Sequence, residues 1–143
     1  MAQAPQTQDR SGSPAQSDDL RDSPMMARLL ESLEQGADIG HYGRLTFAMV
    51  ARYFMDDDDL VRLLANQPDH GEDDAQRLVA QVKGHGYNPP KRDRILQWQA
   101  EQEFQICTTP DDPSSCNVYS ELKFPDEVYD NIGDFWEEKA ESR

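Results

Sequence analysis

The sequence predicts a mostly α-helical protein, a compact bundle of short helices with an irregular C-terminal loop region. Apolar residues recur at three- and four-residue steps in several segments, which is the spacing of a helix that buries one face. Glycine, proline and aspartate separate these segments, and no segment shows the alternation of apolar and polar residues that is typical of a strand. At 143 residues the chain has room for one ordinary domain.

The first two helices are predicted from their caps and their apolar spacing. Ser23 supplies a capping hydroxyl, and Pro24 fits the first helical position, where its missing N–H has no cost. Apolar residues follow at helical spacing until Gly36 ends the run. A longer central helix is predicted from about Gly40 to Met55, because its apolar residues repeat in the same way.

Two short helices are predicted after the central one. Four aspartates, residues 56 to 59, interrupt the apolar pattern and place negative charge at the N-terminus of the next helix, where the helix dipole favours it. We interpret them as a cap and a solvated turn rather than as a divalent-metal site. The following helix is predicted for residues 72 to 84, which open with acidic residues and close with Lys83 and Gly84.

The last part of the chain is predicted to be less regular. Pro89 and Pro90 form an extended corner, and another short helix follows as far as about Glu103. Residues 107 to 115 are rich in proline and polar residues and are predicted to form a loop. A last helix is expected to begin near Pro125.

Residues 1 to 22 are predicted to be a disordered polar tail, and residues 23 to 143 a single helical domain. The tail has only Met1 and Leu20 as large apolar residues, so burial would not offset the entropy of ordering it. It lacks the apolar run of a signal peptide, and no stretch of about 18 residues is apolar enough to span a membrane. The expected location is the cytoplasm, without a membrane partner.

Positive charge is concentrated in one stretch of an acidic chain. The formal net charge is -14 at pH 7, yet residues 41 to 95 carry eight basic and nine acidic residues. In the segment GYNPPKRDRI, three basic residues fall within four positions after the Pro-Pro corner: Lys91, Arg92 and Arg94. Residues 96 to 143 carry three basic and twelve acidic residues. The middle of the chain therefore favours a polyanionic partner, and the C-terminal third favours a basic one.

The sequence contains no catalytic constellation, so the protein is not expected to be an enzyme. A glycine-rich phosphate loop and a serine-centred elbow are both absent, and the three histidines do not form a metal-binding pair at helical spacing. His41 and Arg44 are more informative, because three-residue spacing at a helix start puts an imidazole beside a guanidinium near backbone N–H groups. They are predicted to form an anion or phosphate seat, and the alternative is a surface arginine beside a capping histidine.

Two cysteines, Cys107 and Cys116, lie in the predicted loop region. They could form a disulfide, act as two metal ligands or remain as free thiols, and the sequence leaves these possibilities open. Two thiolates alone do not complete a four-thiolate metal site.

Several motifs, taken in order, resemble a known family. They are SPMMARLLESL, GHYGRLTFAMVARYF, LVRLLANQPD, a short helix ending in Gly84, GYNPPKRD and QICTTPDDPSSCNVYSELKFPDEVY. Their order over residues 23 to 129 is similar to that of the C-terminal iron-sulfur domain of the archaeal and eukaryotic DNA primase large subunit. The most specific pieces are the His-x-x-Arg helix start, the Pro-Asp after a short helix and the Tyr-x-Pro-Pro corner.

The resemblance implies part of a [4Fe-4S] ligand set. Four cysteines hold the cluster in the family, and Cys107 and Cys116 match the last two of them. The first ligand falls at Met25 in this sequence, and the second falls at or next to Arg92. A complete cluster needs a ligand on each iron. The resemblance thus suggests a [4Fe-4S] cofactor, whereas the incomplete ligand set leads us to expect none, or at most a labile cluster with His or Asp as the remaining ligands.

The resemblance also implies a function. In the family this domain is not the polymerase; it recognises the template-primer junction and the 5′ phosphates of the initiating nucleotide. We therefore expect a non-catalytic, nucleic-acid-binding accessory module of DNA priming or replication. The expected partners are DNA or an RNA-DNA primer-template, and a catalytic primase subunit or another replication protein. The residues expected to meet phosphates are His41, Arg44, Arg52, Lys91, Arg92 and Arg94.

Two alternatives are kept beside this function. The first is a protein-interaction module without a cluster that presents the acidic C-terminal third to a basic partner. The second is a redox or metal role for Cys107 and Cys116. Whichever holds, loss of a cluster would free the corner, and Lys91 and Arg92 are then expected to face outward.

Overall fold

Ser23 and Pro24 begin the first α-helix, as the sequence predicts. In the computed structural model, which describes residues 17 to 130, the Ser23 hydroxyl oxygen accepts a hydrogen bond from the Met26 N–H (3.3 Å). The helices that lie wholly in this range are the 3₁₀ helix Ser17–Asp22, α1 Pro24–Glu34, α2 Gly40–Ala51, α3 Asp57–Leu64, α4 Glu72–His85, α5 Arg92–Gln99 and α6 Val118–Glu121. The described residues contain no strand, so the mostly α fold class is confirmed.

The core is built around α2. This helix contacts α1, α3, α4 and α5, and Phe47 and Val50 on it are fully buried. α1 adds a buried face of Met25, Met26, Leu29, Leu30 and Leu33. Burial of each such side chain contributes about 1.5–3 kcal/mol. Within the described residues, no helix has the length and hydrophobicity that a membrane crossing requires.

The segment before α1 differs from the predicted tail. Residues 17 to 22 form the 3₁₀ helix, which packs against α1. Leu20 is fully buried in the core, and its burial contributes about 1.5–3 kcal/mol towards ordering this short turn. Residues 17 to 22 are therefore ordered rather than part of a tail, and the prediction for residues 1 to 16 lies outside the described residues.

α2 ends at Ala51, whereas the sequence analysis extended it to Met55. Residues 52 to 55 form turns instead, and they lead directly into the tetra-aspartate segment. Asp56 then caps α3, because its carboxylate accepts a hydrogen bond from the Asp59 N–H (2.9 Å). This geometry is the predicted cap, with further carboxylates in the first turn of α3.

α3 and α4 form an antiparallel pair. Lys83 near the end of α4 reaches Asp57 at the start of α3, with Nζ 2.7 Å from Oδ2. α4 ends at His85, one residue beyond its predicted end, and Gly86 follows in the left-handed conformation with φ 62°. Glycine is favoured there because it has no Cβ to clash with the backbone.

The Pro-Pro corner leads into α5, which ends at Gln99 and not at the predicted Glu103. The helix stops where the Gln99 side chain turns to the next segment: its amide accepts from the Cys107 N–H (2.6 Å) and donates to the Cys107 carbonyl (3.2 Å). The Tyr119 hydroxyl donates to the Pro89 carbonyl (2.5 Å) and fixes the corner from the other side.

The C-terminal region contains one helix that the sequence analysis did not identify. Residues 107 to 115 form the predicted loop, after which α6 makes a single turn capped by the Asn117 side chain. Residues 126 to 130 are helical, in agreement with a helix beginning near Pro125. The rest of that predicted helix lies in residues 131 to 143, outside the described residues.

Gln67 provides the first test of this fold. It is 5% exposed; its Oε1 accepts from the Ile39 N–H (2.9 Å), and its Nε2 donates to the Ala37 carbonyl. We expect Gln67→Ala to lower the free energy of unfolding by about 2–4 kcal/mol, since each buried group left unpaired costs about 1–3 kcal/mol. Urea denaturation followed by circular dichroism measures the loss. Gln76→Ala, at an exposed position on α4, is the control, and an equal loss in both variants would contradict the assigned role.

Candidate nucleic-acid interface

Side chains from three segments hold the N-terminus of α2. The three hydrogen bonds, each 2.9 Å long, run from the Ile39 N–H to Gln67 Oε1, from the Gly40 N–H to Asp38 Oδ1 and from the Tyr42 N–H to Gln102 Oε1. Gln67 belongs to the α3–α4 connection and Gln102 follows α5. Three of the backbone donors at the helix start where the sequence analysis placed a phosphate are therefore already hydrogen-bonded within the chain.

Arg44 lies beside these donors. Its Nη1 is 3.6 Å from Asp38 Oδ1 and 3.4 Å from Gln67 Oε1. The Arg44 side chain is only 16% exposed, whereas that of Asp38 is 65% exposed. Asp38 therefore occupies the position of an anion between the guanidinium and the helix N-terminus. The geometry is that of an anion seat, filled by a carboxylate of the same chain, and a phosphate at this place stays a prediction.

His41 is exposed at the start of α2, with its ring edge-on to Tyr42 at 5.1 Å. Partial burial lowers the pKa of its imidazole, and the positive charges of Arg44 and His70 lower it further. The neutral imidazole is thereby favoured in the folded protein. A bound anion at this end of α2 would act in the opposite direction.

A groove of about 630 Å³ runs along α2 beside α5. Leu45 and Met49 of α2 form part of its apolar lining. The other lining residues come from α4, the Pro-Pro corner, α5 and α6: Gln81, Tyr87, Asn88, Pro89, Pro90, Lys91, Asp93, Arg94, Gln97, Trp98 and Tyr119. Aromatic, amide and charged side chains thus share one open surface.

Aromatic rings stand towards both ends of the groove. Trp98 stacks on Tyr42, with ring centroids 5.4 Å apart and planes inclined by 16°. Further along, Arg52 Nη2 donates to the Tyr87 carbonyl (3.2 Å), and its guanidinium lies 4.4 Å from the Tyr53 ring centroid. Tyr42 and Arg52 are about 15 Å apart at the helical rise of 1.5 Å per residue. Arg52, predicted to meet phosphate, therefore supports Tyr87 at the edge of the groove.

Arg94 is the exposed cation of the groove. Its guanidinium lies 5.9 Å from the Trp98 ring centroid, and its side chain faces solvent. Lys91 also lines the groove, but its Nζ is shielded from solvent. This corrects the expected outward orientation: Lys91 immediately follows two buried prolines, and its ammonium group is covered at the corner.

Arg92 differs from its expected outward orientation as well. Its Nη2 donates to the Pro110 carbonyl (2.6 Å). Its Nε is buried and has no hydrogen-bond partner among the described residues. The side chain is thus directed to the loop of residues 107 to 116, because a carbonyl there accepts its charge-assisted hydrogen bond.

Cys107 and Cys116 are joined by a disulfide, one of the possibilities that the sequence left open. Both residues are buried. Neither sulfur is a thiolate in this state, and a thiolate is the form that binds a metal. A metal role for the two cysteines stays a prediction for the reduced protein.

The residues at the four positions implied by the resemblance do not fit a [4Fe-4S] cluster. Met25 is 5% exposed and packed in the core, and Arg92 presents a guanidinium, so neither supplies the missing thiolate. Within residues 17 to 130, no group of three or more His, Cys, Asp or Glu residues is arranged to hold a metal ion. No step proposed below passes through a cluster.

The sequence analysis did not select the aromatic residues of the groove. Tyr87 was visible as the first residue of the Tyr-x-Pro-Pro motif, and Trp98 lies four residues after Arg94, a spacing that places both on one helix face. Tyr119 carried no comparable signal, because it reaches the corner from a single helical turn that the pattern did not predict.

Comparison with known proteins supports a relationship to DNA primase. The chain is similar to the DNA primase large subunit PriL of Thermoplasma acidophilum, with 26% identity over 95 residues. The similarity covers 63% of this chain and 26% of the relative, so it spans about a quarter of the length of the protein that it matches. No family model matches the chain, and no solved structure gives a significant match.

The pKa of His41 tests the geometry at the start of α2. We expect Arg44→Gln to raise this pKa, because the variant removes a nearby positive charge, although the effect of burial remains. The His41 ring-proton shift, followed by NMR as a function of pH, measures it. Arg62→Gln on α3, an exposed arginine paired with Asp59, is the control. An unchanged His41 titration in Arg44→Gln would show that the two side chains do not interact.

Proposed function

We propose that this protein is a non-catalytic, nucleic-acid-binding accessory module of DNA priming or replication that binds template-primer or 5′-phosphate ends. The similarity to a primase large subunit supports the replication role, and we infer that the chain corresponds to the C-terminal domain of such a subunit. The observation that carries the binding role is the groove along α2, where aromatic rings and an exposed arginine stand together. The proposed partner is a catalytic primase subunit or another replication protein.

The groove has the chemistry that unpaired nucleotides require. Tyr87 is 37% exposed, and its ring is backed by the parallel ring of His85 at 5.1 Å. Trp98 is likewise backed by Tyr42. Stacking of a base on such a ring contributes about 1–3 kcal/mol. Arg94 would contact a phosphate, and the neighbouring side-chain amides of Asn88 and Gln97 would hydrogen-bond base edges.

The groove along α2 is more favourable for a polyanion than a second groove between α3 and α4. Asp57, Asp58 and Glu72 border a second groove of about 690 Å³, between α3 and α4. Asp58 makes no ion pair with any described residue. Arg62 and Lys83 also line that groove, so its lining charges sum to -1, whereas those of the groove with Arg94 sum to +1. A phosphate backbone is therefore favoured at the groove with Arg94.

The groove is suited to binding rather than to phosphoryl transfer. Asp93 is the single carboxylate among its described lining residues. Metal-assisted phosphoryl transfer uses carboxylates to hold one or two Mg²⁺ ions in line with the reacting phosphate. Phosphoryl transfer is therefore expected to take place in a partner subunit.

The alternative function, an acidic protein-interaction module, remains a prediction. Part of the acidic C-terminal third, residues 131 to 143, lies outside the described residues. The similarity to a primase large subunit is compatible with both functions, because a large subunit that binds nucleic acid also contacts its partner. The open groove with its arginine favours nucleic acid.

Groove variants test the proposal directly. The probe is a primer-template with a single-stranded overhang and a 5′-triphosphate, and affinity is measured by fluorescence anisotropy at several salt concentrations. We expect Arg94→Ala to weaken binding and to reduce the salt slope by about 0.7–0.9, the contribution of one phosphate contact. Tyr87→Ala should lose about 1–3 kcal/mol of binding free energy with little change in salt slope.

Arg62→Ala and Arg77→Ala are the matched controls, because both arginines are exposed, on α3 and α4, and are paired with neighbouring aspartates. They should leave affinity and salt slope unchanged. Absence of binding by the unaltered protein at every salt concentration would overturn the proposal. Equal losses in Arg94→Ala and Arg62→Ala would show that the groove is not the binding site.

A variant of Asp38 tests the filled seat at the start of α2. Asp38→Asn keeps a carbonyl oxygen for the Gly40 N–H but removes the negative charge beside Arg44. We expect it to raise affinity for the 5′-triphosphate probe by about two- to fivefold, the size of a surface ion-pair effect. Affinity for a probe with a 5′-hydroxyl should not change. Asp111→Asn in the exposed loop is the control, and a decrease in Asp38→Asn would contradict a phosphate at this seat.

A further inference from the structure

We propose that Arg92 is a conditional phosphate-binding residue, withdrawn from nucleic acid while the Cys107–Cys116 disulfide is closed and released when it is reduced. This inference rests on the proposed function, because it concerns the regulation of the same interface. The loop closed by the disulfide would keep Arg92, one of the three cations Lys91, Arg92 and Arg94, away from nucleic acid.

The first support is the position of Arg92. It is the first residue of α5 and immediately follows Lys91, which lines the groove. Its guanidinium nevertheless does not line the groove, because Nη2 donates to the Pro110 carbonyl at 2.6 Å. The buried Nε has no hydrogen-bond partner among the described residues. One hydrogen bond and the nearby negative charge of Asp112 therefore hold the side chain at the loop, while one of its donors is unsatisfied.

The second support is that the acceptor belongs to the ring closed by the disulfide. Pro110 lies between Cys107 and Cys116 in the chain, and the disulfide joins the two ends of this segment. One end is also anchored to α5, because the Gln99 amide bonds both the N–H and the carbonyl of Cys107. The closed ring thus keeps the Pro110 carbonyl within reach of Arg92.

The third support is backbone strain within the ring. Cys116 has φ 59°, a left-handed conformation that non-glycine residues rarely adopt. The closed ring helps to maintain it, since a disulfide removes conformational freedom from the segment that it spans. Residues 108 to 114 are exposed, and apart from the Arg92 bond their hydrogen bonds run within the loop itself, so once the ring is opened nothing but these local bonds among the described residues holds the loop in place. Reduction therefore favours relaxation of the loop and loss of the acceptor.

The redox step balances with a dithiol as reductant. One thiolate of the dithiol attacks the Cys116 sulfur, the sulfur–sulfur bond breaks, and Cys107 leaves as a thiolate that takes up a proton. The second thiol of the dithiol then displaces Cys116, which leaves and takes up a proton, while the reductant closes to a cyclic disulfide. The protein gains two electrons and two protons, and the dithiol is oxidised.

Release brings Arg92 into competition for phosphate. A phosphate oxygen is a charged acceptor and binds a guanidinium more strongly than a neutral carbonyl does, often through two parallel hydrogen bonds. The reduced protein would therefore make one more phosphate contact than the oxidised protein. That contact should add a further loss of affinity of about threefold between about 50 and 200 mM salt.

Chemical reactivity tests the release without nucleic acid. Oxidised and dithiothreitol-reduced proteins are treated with phenylglyoxal, and modification of each arginine is quantified by mass spectrometry. We expect Arg92 to become several-fold more reactive on reduction, while Arg62, which is exposed on α3, keeps its reactivity. Unchanged protection of Arg92 in the reduced protein would overturn the inference. The double variant Cys107→Ser, Cys116→Ser, which cannot form the disulfide, should show the same increase in Arg92 reactivity. If this variant does not fold, reduced wild-type protein with an unchanged circular-dichroism spectrum still provides the test.

Nucleic-acid affinity tests whether the released Arg92 contacts phosphate. The 5′-triphosphate primer-template is titrated against oxidised and reduced protein, each as wild type and as Arg92→Gln. We expect reduction to raise wild-type affinity and salt slope and to leave both unchanged in Arg92→Gln, whereas Arg77→Gln should behave as wild type. Equal binding by the two redox forms would refute the inference and leave the proposed function standing. No binding by either form would instead refute the proposed function, and with it the phosphate-binding role of Arg92.

Discussion

The N-terminus of α2 is capped by side chains from distant parts of the chain, and the arrangement of the other helices depends on these hydrogen bonds. α2 has no capping side chain at its own N-cap residue, Ile39. Gln67 and Gln102 supply the acceptors instead, and they tie the α3–α4 connection and the end of α5 to the same helix turn. Gly40 has φ 78°, and a Cβ there would lie within 2.5 Å of the Gln102 amide. The left-handed backbone therefore favours glycine at this position, and the Gln102 amide packed against it holds the end of α5 beside α2, next to the groove.

The sequence predicted the helices whose determinants are local. The Ser23 cap, the aspartate cap of α3 and the glycine after α4 are each decided within a few residues, so these helices were predicted to within one or two positions. The ends of α2 and α5 were placed too far along the chain, because tertiary contacts decide them. The Gln99 side chain, at the last position of α5, accepts a hydrogen bond from the Cys107 N–H. The position of this partner, eight residues further along the chain, is not specified by any helical pattern. Leu20 likewise became ordered through burial in the core and not through any local preference.

The sequence identified basic residues of the candidate site, but it did not predict which partners their side chains have in the folded protein. Arg44, Arg52 and Arg92 were selected for charge, yet each guanidinium is engaged within the protein, by Asp38, by the Tyr87 carbonyl and by the Pro110 carbonyl respectively. Counting basic residues cannot reveal such partners, because carbonyl acceptors leave no mark in the sequence. The aromatic lining was missed for a related reason. Tyr119 and Trp98 reach the groove from different helices, and only the packing of α5 and α6 against the corner brings them together.

Internal engagement of cations has a particular consequence in a chain of net charge -14. Surrounding carboxylates oppose the approach of any polyanion, so binding depends on local cations that can exchange their partners. Asp38 faces Arg44 at 3.6 Å, longer than a well-formed charge-assisted hydrogen bond, and the Pro110 carbonyl is a neutral acceptor. A phosphate that reaches either guanidinium offers a stronger acceptor than the one it displaces. Under the proposed function, the acceptors that satisfy these arginines in the free protein would select against weak or isolated anions and would favour a ligand that presents several phosphates to the groove and to the arginines beside it.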